Sequence, residues 1–145
     1  MRLISRLFGR RPMTRLDNAL ASIDGATEQF RLSAEMTVQP HARLFWDLAA
    51  AAFDLRAQVE RNPGNITAMR RFLLFYLPTM AELCLRWARL SHADPLRPPD
   101  ETAIADFRNW LDITRAAAEA CRARSHDDLR LTMEALDDQL QRLSI

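Results

Sequence analysis

The sequence predicts an all-α fold: an antiparallel up-and-down bundle of four to five helices in one domain, 14–145, preceded by a basic amphipathic segment at 1–13. Two observations support it. Ala and Leu make up almost a third of the 145 residues, whereas Val, Ile and Thr together number 16 and Gly only 3. Unbranched side chains favour helices and β-branched ones favour strands. Apolar residues also recur at alternating steps of three and four through nearly the whole chain. Together these features argue against a β-sandwich, a Rossmann domain and a Gly-rich phosphate loop.

Five helices follow from this periodicity. Steps averaging about 3.5 residues are typical of helices that pack at a shallow angle, and short connections predict antiparallel neighbours. The predicted core positions of the first two helices are Leu16, Leu20, Ile23, Thr27, Phe30 and Ala34, then Phe45, Leu48, Ala52, Leu55 and Val59. Those of the third helix are Ile66, Met69, Leu73, Tyr76, Met80, Leu83, Trp87 and Leu90. Those of the last two are Ile104, Phe107, Leu111, Thr114, Ala118 and Cys121, then Leu129, Met133, Leu136, Leu140 and Leu143.

Turn residues separate these helices. Pro40 lies between the first and the second, and 62–65 reads Asn-Pro-Gly-Asn before the third. The longest connection, 93–100, holds three prolines. Ser125 and Asp128 have the spacing of a capping box that opens the last helix.

Pro78 departs from the helical pattern of the third helix. It removes the hydrogen bond to the Leu74 carbonyl, and its ring strains that turn. The periodicity places Pro78 on the outer side, between Tyr76 and Met80. We therefore predict a kink or a break at this point.

The charge distribution argues against nucleic-acid binding. All 20 basic residues are Arg, and five of them lie in the first 15 residues, where there is no acid. The remaining 130 residues carry 15 Arg against 19 acids, a net charge of −4. A nucleic-acid domain is expected to be basic over a whole face. No nucleic-acid partner is therefore predicted.

The first 13 residues form an amphipathic pattern suited to a membrane surface or a partner protein. The residues concerned are Arg2, Leu3, Ile4, Arg6, Leu7, Phe8, Arg10 and Arg11. Arginines four apart lie opposite the apolar residues, as in helices that lie on anionic lipid or dock on a partner. A disordered tail is the alternative. The longest apolar run, 72–77, is far shorter than the roughly 20 residues of a membrane span, and no signal peptide is recognisable. We predict a cytoplasmic protein. The basic segment extends this prediction to a peripheral location on the inner membrane.

Catalytic and metal-binding motifs are absent from the sequence. It contains no HExxH, Walker loop, GxSxG or repeated Glu-x-x-His. Cys84 and Cys121 are expected to be core residues too far apart to pair. His41, His92 and His126 are scattered. No catalytic residue, metal or cofactor is predicted.

Part of the third helix resembles a known family. The stretch 71–79, Arg-Phe-Leu-Leu-Phe-Tyr-Leu-Pro-Thr, resembles the central motif of the XpaC-like proteins, the 5-bromo-4-chloroindolyl phosphate hydrolysis protein family. The resemblance covers 63–90 well and 127–143 loosely. Phe75 stands where the family has the first Tyr of a pair, and Trp87 replaces a later Tyr.

The resemblance implies a bacterial cytoplasmic helical protein associated with toxic-anion (tellurite) resistance proteins of the TelA type. We predict a non-catalytic adaptor that binds a TelA-like coiled-coil protein at the inner face of the membrane. Its partner-binding residues would be Arg70, Arg71, Phe75, Tyr76, Pro78 and Thr79. The alternative implied by the family's name is a phosphate-ester hydrolase in which Arg70 and Arg71 hold the phosphoryl oxygens. That reaction needs a nucleophile or metal, which the sequence does not identify.

Overall fold

The computed structural model describes residues 14–122 and 126–142, and every element within them is helical. The predicted all-α helical bundle is therefore confirmed. The α-helices are α1 (Arg15–Glu35), α2 (His41–Arg61), α3 (Ile66–Arg71), α4 (Leu77–Ala93), α5 (Glu101–Arg122) and α6 (His126–Arg142). A 3-10 turn, Pro63–Asn65, precedes α3. A π-helical segment, Phe72–Tyr76, joins α3 to α4 without a break. We call this segment the π turn, and the continuous unit from α3 to α4 the third helix.

Helix α1 begins at a capping box that the sequence analysis missed. Thr14 Oγ1 accepts a hydrogen bond from the Asp17 amide at 3.0 Å, and the Asp17 carboxylate accepts one from the Thr14 amide at 3.2 Å. This Thr-x-x-Asp spacing satisfies two amides that a helix start leaves unpaired. Asp100 caps α5 by accepting from two amides of the first turn. The capping box predicted for Ser125 and Asp128 lies partly outside the described residues.

Helix α2 has two long interfaces. It packs against α1 and against α5. The Arg56 Nε atom lies 2.7 Å from Asp24 Oδ1 on α1, and Asp54 Oδ2 lies 3.1 Å from Arg122 Nη2 on α5. Ten residues of α2 are buried, twice as many as the predicted stripe, because that stripe accounts for one interface only. The helix that follows α2 in sequence packs mainly on α1 instead, so the short connection there does not join antiparallel neighbours.

Helices α2 and α5 lie side by side and run in the same direction. Phe45 meets Phe107 near the start of both helices, with 5.7 Å between ring centroids, and Asp54 meets Arg122 further along. Helix α6 packs on α5, on α3 and on the π turn. It thereby covers one side of the third helix near its beginning.

The core is continuous and includes an aromatic cluster between α2, α4 and α5. The rings of Phe45, Trp87 and Phe107 lie 5.7–5.8 Å apart, in tilted and edge-to-face arrangements that aromatic pairs prefer. In α5 the predicted core positions are all buried: Ile104, Phe107, Leu111, Thr114, Ala118 and Cys121.

Candidate protein-interaction surface at the π turn

The π turn contains a shifted backbone hydrogen bond at its end. The Leu77 amide donates to the Phe72 carbonyl, five residues back, whereas an α-helix would use the Leu73 carbonyl. That carbonyl accepts from Ser22 Oγ of α1 at 2.7 Å instead. A side chain from the neighbouring helix thus satisfies the acceptor that the π turn frees, as buried backbone groups require.

Pro78 is the second residue after the π turn and lies in the first turn of α4. A proline there lacks the amide that would bond to Leu74, and its ring would press on that carbonyl in a regular helix. The wider turn before it relieves this contact. Thr79 Oγ1 also donates to the Phe75 carbonyl at 2.7 Å. The helix therefore does not break at Pro78, and a π-helical segment precedes the proline instead.

The π turn changes which face of the third helix is buried. The predicted core residues before and within it are buried, and so is the next one after it: Ile66, Met69, Leu73, Tyr76 and Met80. Beyond Met80, Leu83 and Trp87 are half-buried and Leu90 is 53% exposed, so the core prediction for Leu90 is wrong. The fully buried positions come one residue later, at Cys84 and Ala88. The extra residue of a π turn rotates everything after it by about 100°, which explains the shift.

Two large apolar side chains of the π turn face solvent. Leu74 is 41% and Phe75 is 50% exposed. The Phe75 ring packs edge-on against the buried ring of Tyr76, with 5.0 Å between centroids. This contact holds the Phe75 ring in place. Leu74 also lines a shallow depression together with Arg70 and Arg71. Apolar side chains that are adjacent, exposed and bordered by cations are typical of a contact surface for another macromolecule.

A groove of about 370 Å³ separates the other side of the π turn from α6. Arg71 Nη1 and Asp137 Oδ2 form an ion pair across it at 3.2 Å. Tyr76 is only 4% exposed. Burial raises the pKa of Tyr76 above its ordinary value, and the neighbouring Asp137 carboxylate raises it further. The phenol therefore remains neutral beneath α6.

The six residues predicted to bind a partner are divided by this geometry. Arg70 and Phe75 are exposed, and Pro78 and Thr79 are partly exposed beside them. Arg71 is exposed but is held by Asp137. Tyr76 lies in the core and presents almost no surface.

Leu74 belongs to the exposed set although the sequence analysis did not single it out. It lies next to Leu73, which the periodicity assigns to the core. Reading the outward positions of the third helix for apolar residues would have found it.

The remaining sequence predictions concern other parts of the chain. The basic segment, with Arg2, Leu3, Ile4, Arg6, Leu7, Phe8, Arg10 and Arg11, lies outside the described residues. Burial raises the pKa of both Cys84 and Cys121, so their thiols stay protonated at neutral pH. Within 14–122 and 126–142, no three or more His, Cys, Asp or Glu residues come together in a way that could hold a metal ion. No described helix has the length and apolar character needed to cross a bilayer.

Comparison with known proteins adds no relative. No family model, curated protein or solved structure matches the chain. The resemblance to the XpaC-like family stays a prediction that rests on the residues quoted for it.

Proposed function

We propose that this protein is a non-catalytic helical adaptor that binds a partner protein. The binding site, which we call the π-turn surface, consists of Arg70, Leu74, Phe75, Pro78 and Thr79. The observation that carries the proposal is the exposure of Leu74 and Phe75 side by side on a backbone fixed by the Ser22 and Thr79 hydrogen bonds. Covering these side chains recovers hydrophobic free energy at about 25 cal/mol per Å².

The chemistry of the surface indicates a partner segment that is both apolar and acidic. Phe75 supplies an aromatic anchor, and aromatic and Arg side chains dominate binding energy at protein interfaces. Arg70 forms no ion pair with any other described residue. A carboxylate on the partner would therefore meet an available guanidinium beside the apolar pair. A fixed backbone also lowers the entropic cost of association.

The XpaC-like resemblance suggests the first partner to test and a location. A TelA-like coiled-coil protein would present helices with apolar and charged faces, which suit the π-turn surface. In this proposal the adaptor is cytoplasmic, and the basic segment at 1–13 brings it to the inner face of the membrane. Liposome binding that is lost when residues 1–12 are deleted is the test of that location.

The partner-binding proposal is tested by affinity purification of the tagged full chain from its own host, followed by titration with the purified TelA-like protein. Phe75→Glu is expected to weaken the complex at least ~10-fold, as loss of an aromatic anchor does. Leu90→Glu is the matched control, because Leu90 is equally exposed on the same helix but remote from the π turn. Pro78→Ala is expected to weaken the complex more than the fold.

Two outcomes would contradict this function. One is equal binding by the Phe75→Glu and Leu90→Glu variants, which would remove the π-turn surface as the site. The other is metal-dependent hydrolysis of an aryl phosphate by protein free of host phosphatases, which would favour the hydrolase.

A further inference from the structure

Helix α2 carries a second stripe, apolar at its centre and charged at its two ends, that the bundle leaves largely uncovered. It lies opposite the buried stripe and keeps heptad spacing, with steps of three and four. Trp46 and Phe53 are both exposed, Phe53 by 68%. The full stripe is Arg43, Trp46, Ala50, Phe53, Ala57 and Glu60, and all of these except the half-buried Ala57 are exposed. A heptad stripe on an outer face is the pattern of a helix that pairs with another helix.

The order of residues within this stripe is self-complementary. When the α2 helices of two copies lie antiparallel, centred between Ala50 and Phe53, each large side chain meets a small one. Phe53 then faces Ala50 of the second copy, and Trp46 faces Ala57. Alternation of large and small residues is what lets facing helices interdigitate.

The charges at the two ends follow the same symmetry. In the same alignment Arg43 faces Glu60 of the second copy at both ends of the contact. Both side chains are exposed, and within one chain each takes part only in an exposed pair with a neighbour four residues away. Such local pairs are weak and leave the side chains available. A parallel arrangement would instead bring like charges together at both ends.

We infer that the outer face of α2 is a homodimer interface in which two copies pack antiparallel. The contact spans residues 43–60, about 26 Å of helix at 1.5 Å per residue. Isologous pairing of one patch with itself is the commonest symmetry of soluble oligomers. The flanking Asp54 is already paired with Arg122 of α5. This surface is separate from the π-turn surface, so one chain has room for both contacts.

The experiment is sedimentation equilibrium of the full chain and of charge-swap variants. The wild type is expected at twice the 16.7 kDa mass of one chain. Arg43→Glu and Glu60→Arg each replace two attractive contacts by two repulsive ones and are expected to weaken dimerisation at least ~10-fold. The two single variants mixed together, and the double variant R43E/E60R alone, restore both attractive contacts and are expected to dimerise like the wild type.

Matched controls separate this interface from general effects of charge and folding. Arg86→Glu alters an exposed pair of the same spacing on α4 and is expected to leave the dimer unchanged. Phe53→Arg is expected to give a folded monomer by circular dichroism, and Phe75→Glu a normal dimer.

A wild type that stays monomeric at high concentration would overturn the inference. So would a mixture of the two single variants that fails to dimerise, since the antiparallel alignment requires its recovery.

Discussion

Helix α5 and the third helix carry the same apolar periodicity but bury it differently. In α5 every predicted core position is buried from Ile104 to Cys121. In the third helix the prediction holds up to Met80, and the fully buried positions then come one residue later, leaving Leu90 exposed. The difference is the π turn before Pro78. With a π turn next to its proline, the third helix buries its two halves in registers that differ by one residue.

Deletion of one residue tests this difference with the largest expected effect. Removing the exposed Asp112 from α5 rotates the rest of that helix by about 100° and is expected to abolish cooperative unfolding. Removing Leu74 together with Pro78→Ala is expected to leave a folded protein, because the Leu77 amide keeps its Phe72 acceptor as an ordinary α-helical bond. Thermal unfolding followed by circular dichroism measures both. Equal damage by the two deletions would contradict the π turn.

Truncation of single leucines tests the register shift directly. Leu77→Ala removes a fully buried side chain and is expected to lower the free energy of unfolding by about 2–5 kcal/mol. Leu90→Ala is expected to change it by no more than about 0.5 kcal/mol, as at other exposed positions. Urea denaturation gives both values. A larger loss of unfolding free energy for Leu90→Ala would place Leu90 in the core, as the unshifted heptad pattern predicts.

The Ser22 hydroxyl tests the hydrogen bond that supports the π turn. Ser22→Ala leaves the Leu73 carbonyl without this donor and is expected to cost about 1 kcal/mol of unfolding free energy. Ser33→Ala is the matched control, because Ser33 Oγ donates to a carbonyl of its own regular helix at 2.8 Å. The Ser33→Ala control is expected to lower the free energy of unfolding by less. The reverse order would argue against a Leu73 carbonyl that depends on Ser22 for its hydrogen bond.

The smallest expected effect is a dependence of stability on alkaline pH. The pKa of Tyr76 is raised in the folded protein above its ordinary value of 10.0, so the folded state favours the neutral phenol. This contribution is fully present below about pH 10 and is lost as the pH rises through the raised pKa. Tyr76→Phe is expected to remove this part of the alkaline loss. Both proteins keep the two cysteines, so their difference isolates the phenol, which belongs to the chain's only tyrosine.

The sequence predicts the helices well because each has a long apolar stripe bounded by turn residues. It predicts the third helix only in part, since Pro78 signals a disturbance but not how the backbone absorbs it. That answer depends on Ser22 of α1, 51 positions away, whose role no local pattern shows. Tyr76 differs from Ser22, because the periodicity correctly assigns it to the core. Only the resemblance to the XpaC-like motif suggested it as a contact residue.

The sequence also does not show which helices pack against one another. The stripe of α2 gives one buried face, whereas the second face depends on α5 arriving beside it. Leu74 and the outward stripe of α2 become visible as candidate contact sites only once the buried faces are known. Periodicity shows which residues are apolar in phase, and packing decides which apolar residues remain uncovered.

The central claim is that the π turn shifts the buried face by one residue and leaves Leu74 and Phe75 at the surface. Thiol labelling of single-cysteine substitutions tests it most directly, since native Cys84 and Cys121 are buried. We predict fast labelling of the Phe75→Cys and Leu90→Cys variants and protection of Ala88→Cys in the folded protein. Protection of Leu90→Cys together with fast labelling of Ala88→Cys would contradict the account.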